Sequence, residues 1–394
     1  MLKPEQYSDA GFVLYWVKTL QILNFGLISG YVVVFYRNNK QISAKNYSRV
    51  ELEDSISFIL ISLVMLTFSI SSIFFGLFFD ECFFWSGLIF LSLIIFYALE
   101  PIARVRNKLY VSLIPDLFVY ISMISVLTIT YLVIGSSYKD IKSSLFMSYV
   151  FLFVFLLSLL TCFNSNIIRS LFGYIKQIKI RTLLSSGTQL FKLGFPVYLA
   201  SVLYVLLIGV DRIALKLSNS NELAVYLLAS QIAVGAMLPL TSLNFVATVD
   251  LGEKYREGLI NNKLLLKRLF RSIFIYVIFV SIATIISYLT SHFLNDAFKN
   301  LWFFVLSLTL GYGAFSVAGT ISPLFALCGK ARLPAIVLFF LLLITIFQNA
   351  LYIYYGFDAF YLVGLTSLWL VIYSIFSIFY VHKIIKLNIY QNTI

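Results

Sequence analysis

Long apolar runs recur from one end of the chain to the other, each closed by a short polar or basic stretch. A helix needs about 20 apolar residues to cross a bilayer, fewer where flanking side chains snorkel. The pattern predicts eleven such helices, over 10–36, 55–79, 82–99, 113–135, 145–163, 193–215, 223–249, 272–294, 301–327, 334–355 and 360–381. The runs are too long for barrel strands and do not alternate with a period of two. The expected fold class is all-α: a polytopic membrane protein with no separate soluble domain.

Composition agrees. The 394 residues are 61% hydrophobic and 12% charged, where soluble chains carry about 25% charged residues. The net charge of +12 would suit nucleic acid, but its distribution does not. Of 29 Lys and Arg residues, 22 fall in alternate loops on one side of the spans and six on the other. That split orients a bilayer protein with its basic side in the cytoplasm, so the C-terminus is expected inside and Met1 outside. A phosphate-tracking groove would gather its cations on one face instead.

Motifs for covalent chemistry are missing. Cys82, Cys162 and Cys328 are far apart and form no CxxC; His292 and His382 sit at span ends of opposite sidedness. Neither a Walker A loop nor a Ser/His/Asp set is present. The longest outer loop, "SSYKDIKSS", is nine residues, too short to carry an active site of its own. These features predict a protein that is not an enzyme and uses no cofactor.

An internal comparison supplies organisation. Pro101 is followed seven residues on by Lys108, and Pro323 seven residues on by Lys330, an offset of 222. "LKPEQYSDAGFVL" at the N-terminus resembles "LKLSNSNELAVYL" at 215–227. The last five spans then map onto the first five. The span at 193–215 has no counterpart, which would lie upstream of Met1. The plan expected is two six-helix lobes related by an axis along the membrane normal, with a start codon assigned too late, or a truncation, removing the first helix. The domains expected are an N-terminal lobe (1–163), a cytoplasmic amphipathic linker (164–192) and a C-terminal lobe (193–394). In the linker, Ile168, Leu171, Phe172, Ile175 and Ile178 share one face and basic residues lie elsewhere, as in an interfacial helix.

The span "LFKLGFPVYLASVLYVLLIGVDRIAL" resembles the opening helix of the second lobe in O-antigen and polysaccharide flippases of the multidrug/oligosaccharidyl-lipid/polysaccharide exporter superfamily. The likeness rests on Gly194 and Pro196 near the inner end, on Asp211 and Arg212 near the outer end, and on the following "NELAVYLLASQ". "LKPEQYSDAGF" is similar to the family's link between its first two helices. The resemblance implies alternating access around a central polar cavity. It implies as substrate a polyprenyl-pyrophosphate-linked oligosaccharide, an O-antigen or capsule repeat unit. It also implies a bacterial inner membrane location and possible polysaccharide-assembly partners. A drug/cation antiporter of the same superfamily is the alternative, followed by a polytopic polysaccharide polymerase.

Several polar side chains in the spans are candidates for that path. Lys18, Gln21 and Asn24, spaced by three, share a helix face. Lys18 is too deep to snorkel easily and is expected to face the cavity, where a cation suits a pyrophosphate or acidic sugar. Gln231, Gln348 and Asn349 either line the sugar path or bond between helices; Asn244 carries the same two readings. Arg104, Lys108 and Lys330 are inner-mouth cations, beside Arg106 and Arg332. Asp211 lies fifteen residues beyond Pro196, about 22 Å at 1.5 Å per residue, which places Asp211 and Arg212 at the outer rim as an outer gate or a helix anchor. Glu100 and Asp116 are candidates for a coupling proton or cation. Gly311, Gly313, Gly319 and Pro323 mark the ninth span for bending or for close packing.

Overall fold

The computed structural model describes residues 13, 16–17, 19–21, 23–24, 26–38, 47–106, 114–134, 143–164, 178, 180–218, 222–292 and 298–391. Their regular structure is helical. In chain order the helices are α1 (Leu27–Asn38), α2 (Tyr47–Phe78), α3 (Glu81–Val105), α4 (Ile114–Ile134), α5 (Ser143–Asn164) and α6 (Ile180–Leu217). They continue with α7 (Leu223–Arg256), α8 (Asn262–Ser291), α9 (Leu301–Gly319), α10 (Pro323–Leu327), α11 (Arg332–Tyr355) and α12 (Ala359–Gln391). By length and composition α2, α3, α6, α7, α8, α9 with α10, α11 and α12 each suffice to cross a bilayer. The polytopic all-α fold expected from the apolar runs is the observed one.

Local chemistry sets the ends. The Asn261 side chain accepts the Leu264 N–H at 2.9 Å and starts α8. Gly356, at φ 65°, takes the left-handed turn that ends α11. The first expected span is not one helix. It breaks at 23–26, where Asn24 accepts the Gly26 N–H at 3.0 Å and Gly26 turns at φ 80°. Gly26 is needed there twice over, because a Cβ would also lie 2.4 Å from the Gly194 carbonyl carbon. From Gly194 the fit is as tight: a Cβ would come 1.8 Å from the Gly26 oxygen. Gly194 of the Gly-x-Pro sequence therefore serves a backbone-to-backbone crossing.

The chain forms two compact units, residues 1–198 and 199–394. The division falls inside α6, so Tyr198 and Leu199 belong to different units. Of the expected linker at 164–192, residues 165–177 and 179 lie outside the described residues, and the part from Ile180 is continuous with α6.

The main contacts inside the two units match, apart from a light α3–α4 contact in the first and a light α8–α12 contact in the second. In the first, α3 packs against α1, α2 and α5, α1 touches α2, and α4 packs on α5. In the second, α9 packs against α7, α8 and α12, α7 touches α8, and α11 packs on α12. Matching α7, α8, α9, α11 and α12 to α1 through α5 is the correspondence that the 222-residue offset predicts. The hub helices α3 and α9–α10 are the most buried of the described spans. Lipid tails are as apolar as Leu, so association rests on close packing and hydrogen bonds. α9 shows how: Cβ atoms at Gly311, Gly313 and Gly319 would come within 2.8 Å of Ser367, 2.1 Å of Tyr276 and 2.5 Å of Asn244. Packing against α12, α8 and α7, rather than bending, accounts for those glycines. The chain does break after them, at 320–322, where the Thr320 and Ser322 hydroxyls donate to the Val317 and Gly319 carbonyls and Pro323 opens α10.

Candidate functional site

Polar groups gather deepest around Asp211, on the second-unit part of α6. Its side chain is fully buried. One oxygen, Oδ1, accepts from Asn349 Nδ2 of α11 at 3.1 Å and from Thr366 Oγ1 of α12 at 2.9 Å. Asn349 Nδ2 also donates to the Thr345 carbonyl of its own helix at 2.8 Å. Asp211 Oδ2 and Asn349 Oδ1 are buried and accept no hydrogen bond from any described group. Arg212 donates to Ser230 Oγ of α7, a long contact at 3.4 Å. Tyr226 and Tyr312, fully buried or nearly so, complete the surroundings.

Asp211 thus joins three helices of one unit through a carboxylate with one oxygen held and one bare. A buried carboxylate is costly unless paired or fully hydrogen-bonded. Two bare oxygens on bonded neighbours offer a proton or a small cation the partners it needs. Among the described residues no cluster of His, Cys, Asp and Glu has the make-up of a transition-metal site.

The paired amides of α11 divide. Asn349 serves Asp211, while Gln348 donates to the Leu362 carbonyl at 3.1 Å and accepts from Trp369 Nε1 at 3.0 Å, tying α11 to α12. Gln231, on α7, is exposed. Thr366 was not singled out from sequence, because one Thr in an apolar run carries no signal of its own; only the fold brings it to Asp211.

In the first unit, Gln21 Nε2 donates to Glu100 Oε2 at 3.1 Å, and Glu100 is buried on α3. Asn24 does not continue the Gln21 face: the helix has stopped, and its amide donates to the Gln21 carbonyl at 3.0 Å within the break. Lys18 and Lys108 lie outside the described residues, as do the Arg104 and Asp116 side chains. Arg106 has a partner that sequence reading missed: its guanidinium pairs with buried Asp54 of α2, which also accepts from the Tyr31 hydroxyl of α1. In the second unit Asp250 of α7, only partly buried, is bound by Lys254 at 3.1 Å and by Arg268 of α8. Lys330 and Arg332 are exposed.

No protein-family model matches the chain, and no curated protein sequence is significantly similar to it. Solved structures do match in fold. An outward-facing multidrug resistance MATE family transporter of the MOP superfamily superposes with a TM-score of 0.70 at 15% identity, over 99% of this chain and 89% of that one. A MOP superfamily transporter from Pyrococcus furiosus, described by its reversed binding-pocket polarity, gives 0.62 at 16% identity over 96% and 87%. A Vibrio cholerae MATE transporter mutant gives 0.59 at 14% identity over 96% and 91%. The chain therefore has the MATE-type fold.

Proposed function

We propose that the chain is a membrane transporter that moves a lipid-linked oligosaccharide between leaflets by alternating access, driven by a proton or small cation taken up at Asp211. The observation that carries the coupling is the bare Oδ2 of a fully buried carboxylate whose other oxygen already ties α6 to α11 and α12. Occupation of that oxygen changes the charge balance at a three-helix junction. A ligand shifts a conformational equilibrium only through such a difference between states.

The substrate class rests on the resemblance around Gly194, Pro196, Asp211 and Arg212, and on cations expected along the path, Lys18 and Lys108 among them. A bacterial inner membrane with the C-terminus in the cytoplasm is part of the same proposal, from the one-sided basic loops. The drug/cation antiporter is the second reading, favoured by the multidrug transporters among the similar folds. The Asp211 node serves either cargo.

Proteoliposomes separate the readings. A polyprenyl-pyrophosphate-linked oligosaccharide loaded in one leaflet is expected to reach the other faster under an imposed sodium or proton gradient. Asp211→Asn lowers that gain about tenfold, within the usual range of coupling free energies. Gradient-driven ethidium efflux without saccharide transfer would establish the antiporter instead. Neither activity in well-folded protein would sink transport altogether.

A further inference from the structure

α8 and α12 both pack against the hub α9 but only lightly against each other. The wedge between them is a groove of about 400 Å³. Leu265 and Leu269 stand on one wall, Ile375 and Phe379 on the other, with buried Ile321 between and His382 at the α12 end. Both helices reach their basic ends here: α8 begins at Asn262, and α12 runs on past Val381 towards the C-terminus.

Basic residues flank the groove on α8, from Lys263 through Lys267 and Arg268 to Arg271, and on α12 at Lys383. Lys263 lies about one turn before the Leu266 wall position, and Lys383 follows His382; both lysines are exposed. Among the described residues no carboxylate pairs with Lys263 or Lys383. The nearby Asp250 is already taken by Lys254 and Arg268. An apolar slot whose walls are flanked along both helices by unpaired lysines, Lys263 and Lys383, matches a molecule with a hydrocarbon chain and an anionic head. Left empty, such a slot forfeits dispersion contacts along both walls.

We propose that the groove between α8 and α12 seats an anionic phospholipid of the leaflet that borders the basic loops, its acyl chain along the slot and its phosphate at Lys263 and Lys383. Basic pockets between membrane helices on the cytoplasmic side recognise phospholipid headgroups in this way. The occupant is a bilayer phospholipid because the cations lie at headgroup level, where such lipids are always at hand. The proposal concerns a bound lipid, not the transported one, and does not depend on the transport reading.

The test uses full-length protein in nanodiscs of phosphatidylcholine doped with phosphatidylglycerol, followed by native mass spectrometry. Phosphatidylglycerol is expected to stay bound where phosphatidylcholine is lost. Lys263→Gln and Lys383→Gln each weaken its retention about fivefold, the effect of about one surface cation. Leu269→Trp fills the slot and abolishes retention, while Lys299→Gln, at a cation remote from the groove in sequence, leaves it unchanged. Equal retention of phosphatidylcholine would overturn the proposal, as would indifference to both lysine changes in folded protein. Preferential capture of undecaprenyl phosphate in competition would also overturn it, and assign the groove to a prenyl lipid.

Discussion

Asp211 takes two hydrogen bonds on one oxygen, and each donor comes from a different helix. Thr366→Val keeps the side chain's shape and deletes one of them. The expected cost is about 1 kcal/mol, the usual worth of a polar contact between membrane helices, read as lower thermal stability in detergent. Glu222, between α6 and α7, offers a test in pH. Its carboxyl is raised above the usual range, first by burial and then by Asp358 nearby, against the stabilising Ala359 N–H. A raised acid is penalised when ionised, so the folded state loses stability as pH rises from the ordinary glutamate range through the raised value. Glu222→Gln removes the penalty and keeps an oxygen for Ala359. The variant should therefore melt higher than the parent at neutral pH, the difference vanishing in acid; a difference that persists at low pH would refute the account.

At the scale of elements, glycine does more than its motif suggests. Gly26 and Gly194 meet backbone to backbone, so neither position has room for a Cβ. Gly26→Ala is expected to cost about 1–3 kcal/mol through overpacking, and more from the left-handed φ. Gly209→Ala is the control within α6: a Cβ there meets nothing within 4 Å. It should be neutral or gain up to about 1 kcal/mol of helix propensity. Thermal unfolding of the two variants side by side makes the comparison. The span pattern located α6 but said nothing of this crossing, because a close approach depends on which helix arrives opposite.

Across the whole molecule, five helices in each unit repeat one wiring around a central hub, α3 or α9. The proposed orientation, with the basic loops on the cytoplasmic side, predicts that Lys330→Cys resists a membrane-impermeant maleimide added outside spheroplasts and that Ser218→Cys reacts. Both are exposed positions, to be tested in a chain whose three cysteines are replaced by serine. Reversed labelling would invert the orientation. The helices and their repeat were legible from sequence because a bilayer imposes one rule on every span: apolar length, closed by charge. The offset between Pro101 and Pro323 likewise survives as sequence whatever the packing. Asp211 and Asn349 could be named from the chain as polar groups in apolar runs, but not joined. The Gly26–Gly194 crossing, the Asp54–Arg106 pair, the choice of Asn349 over Gln348 for Asp211, and the part of Thr366 were decided by tertiary structure alone. Each depends on a partner at least 23 residues away, brought near only when helices pack, and a polar side chain's meaning in a membrane is its partner.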